Sequence, residues 1–216
     1  PWDYTERLPE FRAWCERVSA TTVLHNPLHV IRWNTDKHYL GDLAAMDVPV
    51  VPTQFVEADA EPLEALQAFL AAYSAEELVV KPAVSAGARD TQRYARSQEF
   101  AASNHIARLL DAGRSVMLQP YLRAVDSRGE TALVYFDGQF SHAIRKGALL
   151  QADTPAAPIP SANGQISACE ADPQERALAE QTLHAVQRLL HLDEALAYAR
   201  VDLIHDNDGS PRLLEL

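Results

Sequence analysis

Asp202 and Glu215 are the residues of this chain whose types and spacing most directly suggest chemistry. The stretch Tyr198-Ala199-Arg200-Val201-Asp202-Leu203-Ile204 reads as a strand, and so does Arg212-Leu213-Leu214-Glu215-Leu216. Between them, Asp206-Asn207-Asp208-Gly209-Ser210-Pro211 is a turn signal. With His205 facing Arg212, antiparallel register sets Asp202 opposite Glu215, with Cβ atoms roughly 5 Å apart. Two carboxylates at that distance repel by about 3 kcal/mol at an effective dielectric of about 20. Their sequence neighbours are apolar, so water relieves little of this. A divalent cation between them would turn the cost into a binding site, and hard oxygen donors suit magnesium. A solvated hairpin end carrying two unrelated acids fits the same letters, so both readings stand.

Lys81 lies in the apolar run Leu78-Val79-Val80-Lys81-Pro82. A lysine in such a strand must find an anion or lose its charge. The small-residue loop Ser85-Ala86-Gly87-Ala88 follows, and such a loop lets backbone N–H groups approach a phosphate. Neither GxxxxGK[ST] nor GxGxxG occurs. The bland alternative is an edge lysine that snorkels to solvent beside a simple turn. Lys37, after Asp36, reads alone as a surface lysine. A two-residue turn at Asp137-Gly138 pairs Phe136 with Gln139 and Glu130 with Arg145. That is a cross-strand ion pair, or Arg145 and Lys146 aim a double positive charge at a phosphate. His142 reads as a packed histidine. The eight histidines show no zinc spacing, and neither cysteine has a nucleophile's context.

The elements that would position these residues alternate without a clean βαβ rhythm, which indicates α+β lobes. Helical patterns cover 5–20, 28–45 with a break near Trp33, 63–73, 100–112 and 172–191. Asp172-Pro173-Gln174-Glu175 is a capped helix start. Strands are expected at 22–24, 78–82, 89–94, 116–119, 131–136 and 139–144, with 48–53 extended. Residues 149–171, with their prolines and lack of apolar period, read as a long surface loop. With 47% hydrophobic residues, the chain can bury a sizeable core. The net charge of −11 argues against nucleic acid as a partner. Two distant cysteines, Cys15 and Cys169, indicate a reducing compartment and hence the cytoplasm. No apolar run reaches the roughly 20 residues of a membrane span. Both ends are expected to be cut, since the chain opens without Met and stops inside a strand.

In order, the pieces resemble the ATP-grasp superfamily. They are Asn34-Thr35-Asp36-Lys37, Val48-Pro49-Val50-Val51-Pro52-Thr53, Val79-Val80-Lys81-Pro82 with Ser85-Ala86-Gly87-Ala88, and Met117-Leu118-Gln119-Pro120-Tyr121-Leu122. Gly129-Glu130-Thr131, Ser141-His142-Ala143-Ile144-Arg145-Lys146, Arg200-Val201-Asp202-Leu203 and Leu214-Glu215-Leu216 complete the run, covering about residues 30 to 216. The chain looks like the glutathione-synthetase/RimK-like branch, and within it like the bacterial group that includes the D-cycloserine-forming cyclo-ligase.

The resemblance implies two α+β lobes gripping ATP: residues 31–122 as the small lobe, 123–216 as the large one, and 1–30 as the tail of an N-terminal substrate domain. Lys37 and Lys81 would contact the α- and β-phosphates. Ser85, Gly87 and Ala88 would fold over the β- and γ-phosphates, and Gln119, Tyr121 and Leu122 would form the adenine-reading hinge. Asp126, or Glu130 in its place, would take the ribose. Arg145 and Lys146, with Arg200 nearby, would face the γ-phosphate and an acyl phosphate, and Asp202 and Glu215 would hold Mg2+. A third metal ligand of the family would fall at position 217, beyond this chain. The implied activity is ATP-dependent carboxylate–amine or cyclo-ligation on a small carboxylate or amino acid, with homodimers common among relatives. A small-molecule kinase and a non-catalytic nucleotide-binding module are the alternatives.

Overall fold

The computed structural model describes residues 3–150 and 166–216. Three helices open the chain: α1 (Leu8–Ser19), α2 (Leu28–Asn34) and α3 (Tyr39–Ala45). Strand β1 (Gln54–Val56), helix α4 (Pro62–Ala72), strands β2 (Glu77–Pro82) and β3 (Gln92–Ala95), helix α5 (Glu99–Asp111) and strand β4 (Val116–Pro120) follow. Then come α6 (Ala124–Arg128), β5 (Glu130–Phe136), β6 (Gln139–Lys146), β7 (Ile166–Cys169), α7 (Pro173–Leu189), β8 (Tyr198–His205) and β9 (Pro211–Glu215). No described helix is long and apolar enough to cross a membrane.

The strands form two antiparallel sheets, ordered β1-β4-β2-β3 and β7-β6-β5-β8-β9. Alternation gives each sheet two different faces. On the first sheet, Leu78, Val80 and Leu118 join Leu66 and Phe69 of α4 and Ile106 and Leu109 of α5 in one core. Each such side chain contributes about 1.5–3 kcal/mol on burial. Lys81 and Gln119 fall on the opposite face. On the second sheet, Leu133, Val201 and Leu203 pack with Leu178 and Val186 of α7. Helix α3 joins that second core through Tyr39, Leu40 and Leu43. Val51, Leu122 and Ile204 form a small cluster of their own. A parallel bridge between Val50 and Leu213 ties the extended 48–53 stretch to β9.

Helix α7 starts as its letters indicate. The Asp172 carboxylate accepts from the N–H groups of Gln174 and Glu175, and Glu175 accepts from the Asp172 N–H. Elsewhere the structure corrects the expectations. Residues 22–24 form no strand. Strand β7 lies inside 149–171, paired to β6, while 151–165 fall outside the described residues. A β-bulge between Val134 and Tyr135 shifts the β5–β6 register, so Glu130 faces Lys146, not Arg145. The bulge leaves Ser141 without an opposite residue and His142 exposed, not packed. In the last hairpin His205 faces Pro211, not Arg212, and a bulge at Leu214 then restores Asp202 opposite Glu215.

Candidate active site

The polar faces of the two sheets share a crevice, and α3 aims a third element into it. Lys37, just before that helix, is fixed by its main-chain N–H donating to Ala83 O at 3.1 Å. Its Nζ donates to Ser85 O at 2.7 Å and lies 3.2 Å from Glu215 Oε1. Lys81 enters from β2, buried, and has no hydrogen bond or ion pair among the described residues. Burial lowers its pKa to about 8, with Lys37 adding to the fall while Glu215 and Glu130 oppose it. Burial would raise the Glu215 pKa, but Lys37 and Lys81 outweigh it and hold the carboxyl below its ordinary value.

Asp202, 2% exposed, is held from two sides. Arg200 grips it with two hydrogen bonds, both 2.8 Å, and Lys146 Nζ donates to it at 2.7 Å. Lys146 also pairs with Glu130, its cross-strand neighbour. Burial, then the charge of Asp202, raises the Glu130 pKa to about 7. Burial opposes the Lys146 charge, but Glu130 and Asp202 more than compensate and its pKa rises. The acids are therefore not surrounded by apolar groups, as their sequence neighbours suggest. Each already has a cation beside it.

The β5–β6 ends are set by Gly129. Its φ is +71°, and an added Cβ would press into the Lys146 carbonyl, so only glycine fits. Arg145 is tied there too, its Nη1 donating to Arg128 O at 2.7 Å. It pairs with Thr131 on the face toward α7, so the structure does not bring it to the Lys146–Asp202 cluster.

Of the hinge candidates, Gln119 faces the crevice, and its amide donates to Thr53 Oγ1 at 2.8 Å. The Tyr121 side chain turns into a separate knot. Its hydroxyl donates to Asp126 at 2.5 Å, and Arg93 stacks over its ring at 3.7 Å. Arg93 in turn grips Glu77 at 2.7 and 2.8 Å and reaches Asp126 at 3.4 Å. Burial, followed by the Asp126 carboxylate, raises the Tyr121 pKa. Asp126 is thereby engaged, whereas Glu130 points into the crevice. Leu122 is buried against Val51 and Ile204. Ser85 is buried and its hydroxyl donates to Pro82 O. Gly87 and Ala88 both have positive φ, and nothing lies within 4 Å of the place a Gly87 Cβ would occupy.

Sequence reasoning missed His38 and the Arg93–Glu77 pair. His38 bonds Asp36 at 2.6 Å and Glu57 at 2.9 Å and stacks on Phe55, linking the segment that carries Lys37 to the first sheet. Burial opposes its protonation, but the two carboxylates outweigh it and raise its pKa. No spacing in the letters signals this contact.

Two oxygen donors on adjacent strands fit a hard cation such as Mg2+. Arg200, Lys146, Lys37 and Lys81 suit a polyphosphate. Comparison with known proteins agrees with this chemistry. Residues 1–26 match the family model for the N-terminal domain of D-cycloserine synthetase DcsG. The chain is 48% identical over 217 aligned residues to the cycloserine biosynthesis protein DcsG of Streptomyces lavendulae, covering all of this chain and 72% of that protein. The crystal structure of D-cycloserine synthetase DcsG superposes with a TM-score of 0.94 at 47% identity, over 100% of this chain and 72% of that one. The ATP-grasp ligase PsnB, solved with a precursor variant, Mg and ADP, shares the fold with a TM-score of 0.62 at 23% identity, over 99% of this chain and 60% of that one.

Proposed function

The chain belongs to the DcsG family of ATP-grasp ligases, and on that premise we propose that it activates a substrate carboxylate with ATP and closes a carbonyl–nitrogen bond within the same molecule. The observation that carries this reading is the shared crevice. Lys37, Lys81, Lys146 and Arg200 converge there on Asp202, Glu215 and Glu130.

In this reading Lys37 and Lys81 take the α- and β-phosphates, and the Ser85–Ala88 loop closes over the β- and γ-phosphates. Gln119 and the Tyr121–Leu122 backbone line the adenine side. Glu130, which faces the crevice, takes the ribose in place of Asp126. Asp202 and Glu215 would hold Mg2+, which when bound neutralises phosphate charge. Lys146 and Arg200 stand where the γ-phosphoryl group is transferred. Arg145, held on the Arg128 carbonyl, serves the strand ends instead.

The chemistry needs no covalent enzyme nucleophile. A substrate carboxylate oxygen attacks the γ-phosphorus, the bond to ADP breaks, and an acyl phosphate forms. The substrate nitrogen then attacks the carbonyl, loses a proton, and phosphate departs with the electron pair of the broken C–O bond. Fixed positive charge and alignment supply most of the rate. Arg200 cannot lose its charge at working pH, so it is suited to follow charge that moves from the γ-phosphate to the acyl phosphate.

The test is a carboxylate labelled with 18O, incubated with ATP and Mg2+ and the full-length protein. Label in the released phosphate, together with a cyclic product, supports the reading. A stable phosphorylated product without label transfer would identify a kinase. Tight ATP binding with no ADP release across amino-acid and carboxylate substrates would identify a binding module.

A further inference from the structure

The other face of the second sheet carries a cluster of ligating side chains that nucleotide chemistry does not use. Asp172 at the cap of α7, Glu175 in its first turn and His205 at the end of β8 each offer one atom, all within 4.8 Å of one another. His205 Nε2 is 3.8 Å from Asp172 Oδ2 and 3.6 Å from Glu175 Oε1. Both are too long for hydrogen bonds. His205 is 2% exposed, makes no hydrogen bond among the described residues, and aims Nε2 at the two carboxylates.

The carboxylates themselves are positioned by neighbours. Asp172 Oδ1 is used up in capping, which leaves Oδ2 toward the histidine. Thr131 Oγ1 donates to Glu175 Oε1 at 2.6 Å, and the Asp172 N–H donates to Glu175 Oε2 at 2.9 Å. Glu175 is 1% exposed, so its charge has little water to relieve it. Metal bonds of about 2.0–2.2 Å in tetrahedral geometry place donors roughly 3.3–3.6 Å apart. The two separations from His205 Nε2, 3.8 and 3.6 Å, lie close to that, all three donors fall within 4.8 Å of one another, and the Asp172 side chain is 44% exposed.

We propose that Asp172 Oδ2, Glu175 Oε1 and His205 Nε2 form a three-ligand site for a first-row divalent cation of the zinc class, with water as the fourth ligand. One imidazole and two carboxylates favour such an ion over Mg2+, which prefers an all-oxygen shell. The ion pins the start of α7 to β8, whose opposite face presents Asp202. The site is structural and independent of the nucleotide crevice.

The experiment uses chelator-treated full-length protein without nucleotide. Zn2+ is titrated by calorimetry, and Co2+ is added separately to read the coordination spectrum. One Zn2+ per chain, a raised Tm and a tetrahedral cobalt spectrum are expected. His205→Gln should weaken Zn2+ binding by at least roughly tenfold. Asp172→Asn should also weaken it while keeping the helix start, because Asn caps as well as Asp. Both variants should keep the metal-free Tm of the parent, which separates lost binding from lost folding. Asp202→Asn should leave the zinc titration unchanged. Failure to bind Zn2+ stoichiometrically overturns the proposal, as does equal binding by the His205→Gln protein. An imidazolium that pairs with the carboxylates and shows no response to Zn2+, read by NMR of His205, overturns it as well.

Discussion

Lys81 gives the crevice its most demanding test, because burial leaves its charge poised near working pH. Burial brings its pKa to about 8. A triphosphate beside it restores the ammonium form, so nucleotide binding must take up a proton. At about pH 8.5, a group of pKa about 8 is roughly three-quarters deprotonated, giving an uptake of about 0.75 proton per nucleotide. Glu130 works in the opposite sense. Burial and Asp202 hold its pKa at about 7, so a cation arriving at Asp202 would expel its proton near neutrality. At about pH 8.5 that release is only about 0.03 proton, so the Lys81 signal stands alone. Between about pH 8 and pH 9.5 the affinity should fall about 16-fold as the lysine loses its charge before binding. The assay is calorimetric titration of Mg-ATP in buffers of different ionisation enthalpy, where the slope of heat against that enthalpy counts protons. Lys81→Arg stays charged throughout, so it should bind with a slope near zero. Lys81→Met should lose both the slope and most of the affinity. A native slope near zero at that pH, or an unchanged slope in Lys81→Arg, refutes the placement of Lys81 against phosphate.

Three further outcomes are expected. Asp202→Asn should abolish the Mg2+ dependence of nucleotide binding. It should also lower the metal-free stability by on the order of 1–3 kcal/mol, measured by urea unfolding, because Arg200 and Lys146 lose a charged partner. Gly129→Ala should cost on the order of 3 kcal/mol in the same assay, since it strains a positive φ and collides with the Lys146 carbonyl. His105, buried and bonded to the Tyr94 hydroxyl at 3.1 Å, has its pKa lowered to about 4 by burial, then by Arg108. A depressed histidine pKa contributes stability that is present above its unfolded value of about 6.5 and lost as pH falls through about 4, at most about 3 kcal/mol. Unfolding of His105→Gln followed across that window should show a flatter pH dependence than the parent, and an equal slope would count against it.

The letters carried the topology further than the register. Periodicity located α4, α5 and α7, and the Asp172-Pro173-Gln174-Glu175 signal marked its helix start because capping is local chemistry. Bulges are not local in this sense. The Asp137-Gly138 turn fixes Phe136 against Gln139, but the irregularity at Val134/Tyr135 then shifts the remaining pairs, moving Lys146 opposite Glu130 and Arg145 opposite Thr131. A one-residue slip transfers a side chain to the other face of the sheet. That is why Arg145 was expected in the crevice and is found against Arg128. The second bulge had the opposite consequence, restoring the Asp202–Glu215 pairing that a uniform register had placed correctly from a wrong starting pair. The His38 contacts and the Arg93–Glu77–Tyr121 knot depend on long-range packing, which no spacing encodes.

The same geometry revises the electrostatic argument for the metal. Repulsion between Asp202 and Glu215 was the reason to expect a bridging cation, yet the folded chain already offsets it. Arg200 and Lys146 sit on Asp202, and Lys37 on Glu215. Cations arranged this way have two competing sets of anions, the protein carboxylates and a polyphosphate. On the proposed placement, a nucleotide would draw Lys37 and Lys146 toward its phosphates, leaving Glu215 without its lysine and Asp202 with Arg200 alone. A divalent ion between the two carboxylates would then be more favourable than before. Nucleotide and metal affinity should therefore be coupled, each strengthening the other, because the coupling free energy is shared by both ligands. The lysines and arginine that pair with the carboxylates would be the ones that grip the phosphates, so the same cations serve both sets of anions.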